Sequence, residues 1–155
     1  MRSPRQMTRQ LLGRVRRRRS GRLPDEIGYA PRRDGKADPG EVVWAWVPYE
    51  DDPRQGKDRP VLIIGRRRAG GHERWLGLML TSKDHDRDAA DETRHGRHWM
   101  DVGAGGWDRQ GRPSEVRLDR LIVLEHDAVR REGAALDRAA FDAVVAAARR
   151  FHSTA

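Results

Sequence analysis

The chain has no cysteine, so neither disulfide staples nor thiolate metal sites are open to it. No apolar run approaches the roughly 20 residues that a bilayer-spanning helix needs. The basic N-terminus is not followed by an apolar core, which argues against a secretory leader, and a cytoplasmic protein is expected. Aromatic residues make up only 6% of the chain and apolar residues 36%, matched by 36% charged residues. The core is therefore small and much of the chain is solvated. His95 and His98 form an H-x-x-H pair with carboxylates before it. Zinc usually takes three or four ligands, so no metal and no cofactor is expected here. At 155 residues, one domain is the natural expectation, since domains commonly run about 100–200 residues.

What the chain has in excess is positive charge, and it is unevenly placed. Residues 1–36 hold 12 Lys and Arg, including "RVRRRR", against three acidic residues, a net of +9. The other 119 residues carry 20 basic and 21 acidic side chains, a net of −1. Runs of like charge repel themselves and stay solvated. Residues 1–38 are thus expected to be a basic, disordered arm, and 39–151 the folded domain. Such an arm either has no specific role or adds salt-sensitive affinity for a polyanion such as RNA.

"PRRDGKADPG" (31–40) marks the boundary. "EVVWAWVP" (41–48), "PVLIIG" (60–65), "RWLGLMLT" (74–81), "HWMDV" (98–102) and "SEVRLDRLIVLE" (114–125) read as strands. In the last of these, Val116, Leu118 and Arg120 are expected on one face. "RRRAGGHE" (66–73) reads as a solvated hairpin loop, and the polar stretch 82–97 as a long loop of functional length. Leu136, Ala140, Phe141, Val144, Val145 and Ala148 recur at helical spacing, with Asp137 at the start. The expected fold is mainly β with a C-terminal α-helix, a small and partly open β-barrel.

Proline at position 60 restricts Arg59 to extended backbone at a loop–strand junction. Pairing strands 60–65 and 74–80 as a hairpin, with Ile64 across from Trp75, sets Arg59 opposite Leu80 and beside Thr81. A guanidinium and the hydroxyls of Thr81 and Ser82 then converge at one rim, a combination that suits a phosphate. Trp44 and Trp46 share a strand face as core or interface anchors. Trp107, in a glycine-rich loop, is open to base stacking, partner contact or packing.

The order "PGEVVWAW" (39–46), "GKDRPVLII" (56–64), "LTS" (80–82) and "SEVRLDRL" (114–121), followed by a helix, resembles the MazF/PemK family of toxin endoribonucleases from bacterial toxin–antitoxin pairs. The resemblance covers about residues 39–151. It implies an SH3-like barrel of the MazF/CcdB type and metal-independent, sequence-selective cleavage of single-stranded RNA by 2′-hydroxyl attack. It also implies a cognate antitoxin and a homodimer, and it puts Arg59 and Thr81 at the catalytic positions. Arginine is too weak an acid, and threonine too weak a base, to move protons unaided near neutral pH. His85, flanked by Asp84 and Asp86, is the expected general base. Lys57, Ser82, Lys83, Trp107, Arg117 and Arg120 complete the expected RNA-binding set. Two other classes compete with this reading. One is a CcdB-like gyrase poison, which has no use for an Arg59–Thr81 pair; the other is a non-catalytic RNA- or protein-binding barrel.

Overall fold

The computed structural model describes residues 26–31, 38–82 and 96–152. Its elements are β1 (Glu26–Ile27), β2 (Glu41–Pro48), β3 (Gly56–Ala69), β4 (His72–Thr81), β5 (Trp99–Gly103), β6 (Ser114–Arg117), β7 (Ile122–Leu124), β8 (Val129–Ala135) and α1 (Arg138–Ala148). All strand pairs are antiparallel, in the order β5-β6-β4-β3-β2-β8, with β1 added to β3 and β7 to β4. This is the expected mainly-β domain with a C-terminal helix. Among the described residues the ladder itself does not close. The loop after β5 bridges toward the far edge, where a Cβ on Gly106 would stand 3.0 Å from that of Ala134 in β8.

The apolar run in β3 is continuous because both faces of that strand are covered. Leu62 and Ile64 enter one cluster with Leu78, Leu80, Phe141 and Val144 beneath α1. Val61 and Ile63 enter a second with Val43, Trp75, Met79 and Leu124. In α1, Phe141, Val144, Val145 and Ala148 form the buried stripe. The Asp137 carboxylate accepts the Ala140 N–H at 2.8 Å, an N-cap that satisfies one otherwise orphaned donor.

Three features depart from the sequence reading. β3 is longer at both ends: it begins at Gly56, so Arg59 pairs with Ala45 inside the strand rather than standing at a loop–strand junction, and Arg66, Arg67 and Arg68 pair with Trp75, Arg74 and Glu73 rather than forming a loop. The turn is Gly70–Gly71, with φ of 58° and 77°, the left-handed pair that a two-residue hairpin turn requires. Cross-strand contacts hold the arginines: Arg68 Nε lies 2.9 Å from Glu73, and the Arg66 guanidinium sits 4.8 Å from the Trp75 ring centre. Second, the extended segment 114–125 breaks after Arg117, so β6 pairs with β4 and β5 while β7 returns to pair with β4 alone. Third, "VRREGAA" forms β8 and pairs with β2 through two register shifts.

Residues 26–31, which the charge pattern assigns to the arm, pack on the domain. β1 continues the β3 ladder at Gly65 and Arg66. The Tyr29 hydroxyl donates to the Leu136 carbonyl at 2.6 Å, and its ring centre lies 5.4 Å from that of Phe141. Residues 1–25 and 32–37 of the expected arm lie outside the described residues.

Candidate active site

The register between β3 and β4 differs from the expected one. Val61 pairs with Met79, Leu62 with Leu78 and Ile63 with Gly77; Ile64 is then an extra residue before Gly65 pairs with Leu76. This β-bulge is invisible in an apolar run that satisfies either register. Continuing the Val61–Met79 register by two residues sets Arg59 across from Thr81, not Leu80. Opposed residues share a face with Cβ atoms about 4.5–5.5 Å apart. The correction therefore brings the guanidinium and the hydroxyl to one face. On the other side of Thr81, Glu115 of β6 is its ladder partner, and Glu115 in turn pairs with Asp101 of β5. A row Arg59–Thr81–Glu115–Asp101 crosses the sheet at this rim.

Two further arginines reach the same face. Arg120, beyond β6, donates to the Pro48 carbonyl at 2.7 Å and lies 3.9 Å from the Met79 sulfur. It therefore sits on the opposite side of the sheet from Val116 and Leu118, which belong to the cluster under α1; the expected shared face is corrected. Arg117 is almost fully buried. Its Nη1 and Nη2 donate to the two Glu50 oxygens at 2.9 and 3.0 Å, and Nη2 also donates to Asp119 Oδ2 at 2.9 Å. Asp119 accepts the His98 backbone N–H as well, at 2.8 Å. Arg117 thus ties the 49–55 loop, through Glu50, to the start of β5, through Asp119. It is 3% exposed and bonded to carboxylates through all three nitrogens, so it ties together the two loops that flank the rim rather than presenting an open guanidinium there.

The electrostatics separate these arginines. Burial pulls Arg117 down, but the hydrogen bonds it donates to Asp119 and Glu50 outweigh this and leave its pKa above the ordinary arginine value. Burial lowers Arg59, offset in part by Tyr49. Burial also lowers Arg120; Glu50 opposes that, whereas Arg117 and Arg59 add to it by like-charge repulsion. Neither Arg59 nor Arg120 forms an ion pair among the described residues. Both remain cationic, because guanidinium does not deprotonate in proteins. Two half-buried cations side by side, without a carboxylate bound to either, are arranged to receive an anion.

A cavity of about 240 Å³ opens at this rim, lined by Lys57, Arg59, Thr81 and Ser82 together with Trp44, Asp58, Trp107 and Arg112. Five expected site residues, Lys57, Arg59, Thr81, Ser82 and Trp107, are thus gathered at one place. Trp107 forms a wall but is only 3% exposed. Its Nε1–H donates to Ser114 Oγ at 3.0 Å, and its carbonyl accepts the Trp44 Nε1–H at 2.9 Å. A Cβ on Gly105 would fall 2.1 Å from its ring, so the glycine-rich loop exists to let the indole in. Of the three readings of Trp107, packing is the one that fits. Lys83 and His85, and with them the expected general base, lie outside the described residues, as does His95. Among the described residues no three potential metal-ligating side chains are grouped, and no helix is long and apolar enough to cross a membrane.

Sequence reasoning missed Tyr49, Glu50, Glu115 and Asp119. A signal was available in "SEVRLDR": charges at 115, 117 and 119 alternate with Val116 and Leu118, yet all five positions are buried. That pattern denotes a buried ionic face rather than a solvated one.

A comparison with curated proteins found no match. Residues 38–152, about three-quarters of the chain and the whole of the sheet from β2 onward with α1, match the family of PemK-like, MazF-like toxins of type II toxin–antitoxin systems. With the barrel-like sheet, the terminal helix and the cationic rim in place, that match over most of the chain shows that this protein belongs to the PemK-like, MazF-like toxin family.

Proposed function

We propose that this toxin is an endoribonuclease that cleaves single-stranded RNA by attack of a 2′-hydroxyl on the adjacent phosphodiester. The observation that carries this reading is the pair Arg59 and Arg120, half-buried cations with no ion pair among the described residues, beside the Thr81 hydroxyl. In the reaction the 2′-oxygen forms a bond to phosphorus as the bond to the 5′-oxygen breaks. The products are a cyclic phosphate and a 5′-hydroxyl end. Negative charge on the non-bridging oxygens rises in the transition state, and preorganised cations aimed there stabilise it selectively. Arg59 takes that role and Arg120 supplements it. Thr81 hydrogen-bonds the scissile phosphate or the attacking hydroxyl. Ser82 and Lys57, in the adjoining cavity, hold the neighbouring nucleotide.

As a type II toxin, the chain has a cognate antitoxin as partner, and two copies of the chain pair as a homodimer. Trp46, 38% exposed on β2, is offered as part of that contact.

The test is cleavage of a defined single-stranded RNA in EDTA, with cut sites mapped by primer extension. Wild type yields discrete cuts, and Arg59→Ala and Thr81→Ala each abolish them while retaining a cooperative melt. Removal of one such electrostatic donor typically lowers rate about 10²–10³-fold. Undiminished cutting by both variants rules out this site. Binding without turnover by wild type favours the non-catalytic barrel.

A further inference from the structure

The expected base, His85, lies outside the described residues; among the described ones, the row across the rim contains a second group able to take a proton. Glu115 is the ladder partner of Thr81 and is only 6% exposed. Its strand alternates: Ser114 bonds Trp107 and Val116 joins the cluster under α1, so Glu115 and Arg117 share the opposite face, the one that carries Thr81 and Arg59. A buried carboxylate is unfavourable unless donors surround it, and a threonine hydroxyl directly across an antiparallel pair is within reach to donate.

Resting on the nuclease reading above, we propose that Glu115 is the proton acceptor behind Thr81, completing an Arg59–Thr81–Glu115 relay built on three adjacent strands. As the 2′-oxygen attacks phosphorus, its proton passes to Thr81 Oγ1 while the proton of Thr81 passes to the Glu115 carboxylate. The 5′-oxygen leaves with the bonding pair and takes a proton from water. Glu115 then returns its proton through Thr81 to the hydroxide left behind, so atoms and charge balance. Glu115 is sealed from solvent and reaches the reacting atoms only through Thr81; it is therefore a positioning residue. Among the described residues the other charged groups on this side are Asp101 on β5, Arg117 on β6 with its partners Glu50 and Asp119, Arg59 and Lys57 on β3, and Arg120 beyond β6. Glu50 and Asp119 are bound to Arg117, and Asp101 is exposed and one strand further from Thr81, which leaves Glu115 as the carboxylate next to the hydroxyl.

The experiment is single-turnover cleavage by the full chain across acid to neutral pH, with affinity measured separately on an uncleavable 2′-deoxy analogue. Wild type shows an acid limb on which rate rises with pH as one carboxylate ionises. Glu115→Gln keeps shape and affinity but loses about 10²-fold or more in rate, the usual contribution of a general base, and loses the acid limb. Glu115→Asp, with the carboxylate retained, keeps the limb at reduced rate, and it decides the matter if the glutamine variant does not fold. A glutamine variant with wild-type rate and limb, or an aspartate variant without the limb, overturns the relay alone. A wild-type protein that does not cut RNA overturns the nuclease reading and the relay together.

Discussion

Replacing Arg117 by methionine tests whether the buried ion network is a positioning device or part of the RNA path. The substitution keeps most of the aliphatic stem and removes the guanidinium that holds Glu50 and Asp119. Asp119, with a side chain 6% exposed, is left with the His98 N–H and without its counter-charge. Breaking a buried pair in this way costs about 3–5 kcal/mol, most of it the penalty of the stranded charge. Glu50 is partly exposed and adds little, since a solvated pair contributes roughly 0–1 kcal/mol. For a folded unit of this size, about 4 °C of Tm accompanies each kcal/mol, so the midpoint falls by roughly 12–20 °C. The double variant Arg117→Met/Asp119→Leu removes the stranded charge and recovers much of the loss. It leaves the His98 N–H without its acceptor, a residual penalty of about 1–3 kcal/mol. Thermal melts and urea titrations of both variants supply the measurement. A single variant that loses under about 1 kcal/mol, or a double variant less stable than the single, refutes the reasoning. Adding Glu50→Gln to Arg117→Met also settles the competing role. A sealed arginine makes no bond to phosphate, so with no freed carboxylate left to pair with Arg59 or Arg120 the salt dependence of RNA affinity is that of wild type.

Two further predictions concern the ends of the domain. Deleting residues 1–25 removes nine arginines but leaves β1 and Tyr29 in place. RNA affinity then falls at low salt, and the slope of log affinity against log salt decreases by about 0.7 for each phosphate that the arm neutralises; an unchanged slope means that the arm does not engage RNA. At the other end, Asp137→Ala removes the cap bond to Ala140 and destabilises the domain by about 1 kcal/mol, seen as a lower urea midpoint with an unchanged slope.

How much of this was legible in the sequence depended on what each segment packs against. β2 is bounded by Glu41 and Pro48 in sequence and structure alike, because β-branched and aromatic alternation ending in proline admits little else. The face of α1 was equally plain from Phe141, Val144, Val145 and Ala148. β8 was not, since "VRREGAA" has no alternation and only Val129 and two alanines as apolar content; it is a strand because β2 needs a partner on its outer edge. The bulge at Ile64 was hidden for a related reason. Five consecutive apolar residues are compatible with every register, and only the burial of both faces decides which one holds. At the site, Arg59 and Thr81 were visible because proline and the TS pair single them out locally. Glu50, Asp119 and Glu115 were not, because their roles come from partners 67, 21 and 34 positions away respectively.

The arrangement of charge at the rim follows from a conflict that the fold has to resolve. Three guanidiniums, Arg59, Arg117 and Arg120, meet the carboxylates of Glu50 and Asp119 where two loops leave the sheet, with Glu115 one strand away behind Thr81, and burial disfavours every one of these charges. If the carboxylates were shared evenly, each arginine would be partly neutralised and none would be available to a ligand. Instead both are committed to Arg117, which is pulled inside and fixed, while Arg59 and Arg120 stay half-buried and repel each other. The unfavourable electrostatics are thereby concentrated on the two cations that an incoming phosphate would relieve. Removing Arg117 should therefore do more than loosen the loops: it frees Glu50 to bind Arg59 or Arg120 and quenches the site from within. Activity in Arg117→Met accordingly falls further than its stability at assay temperature explains, and Glu50→Gln in that background restores part of it.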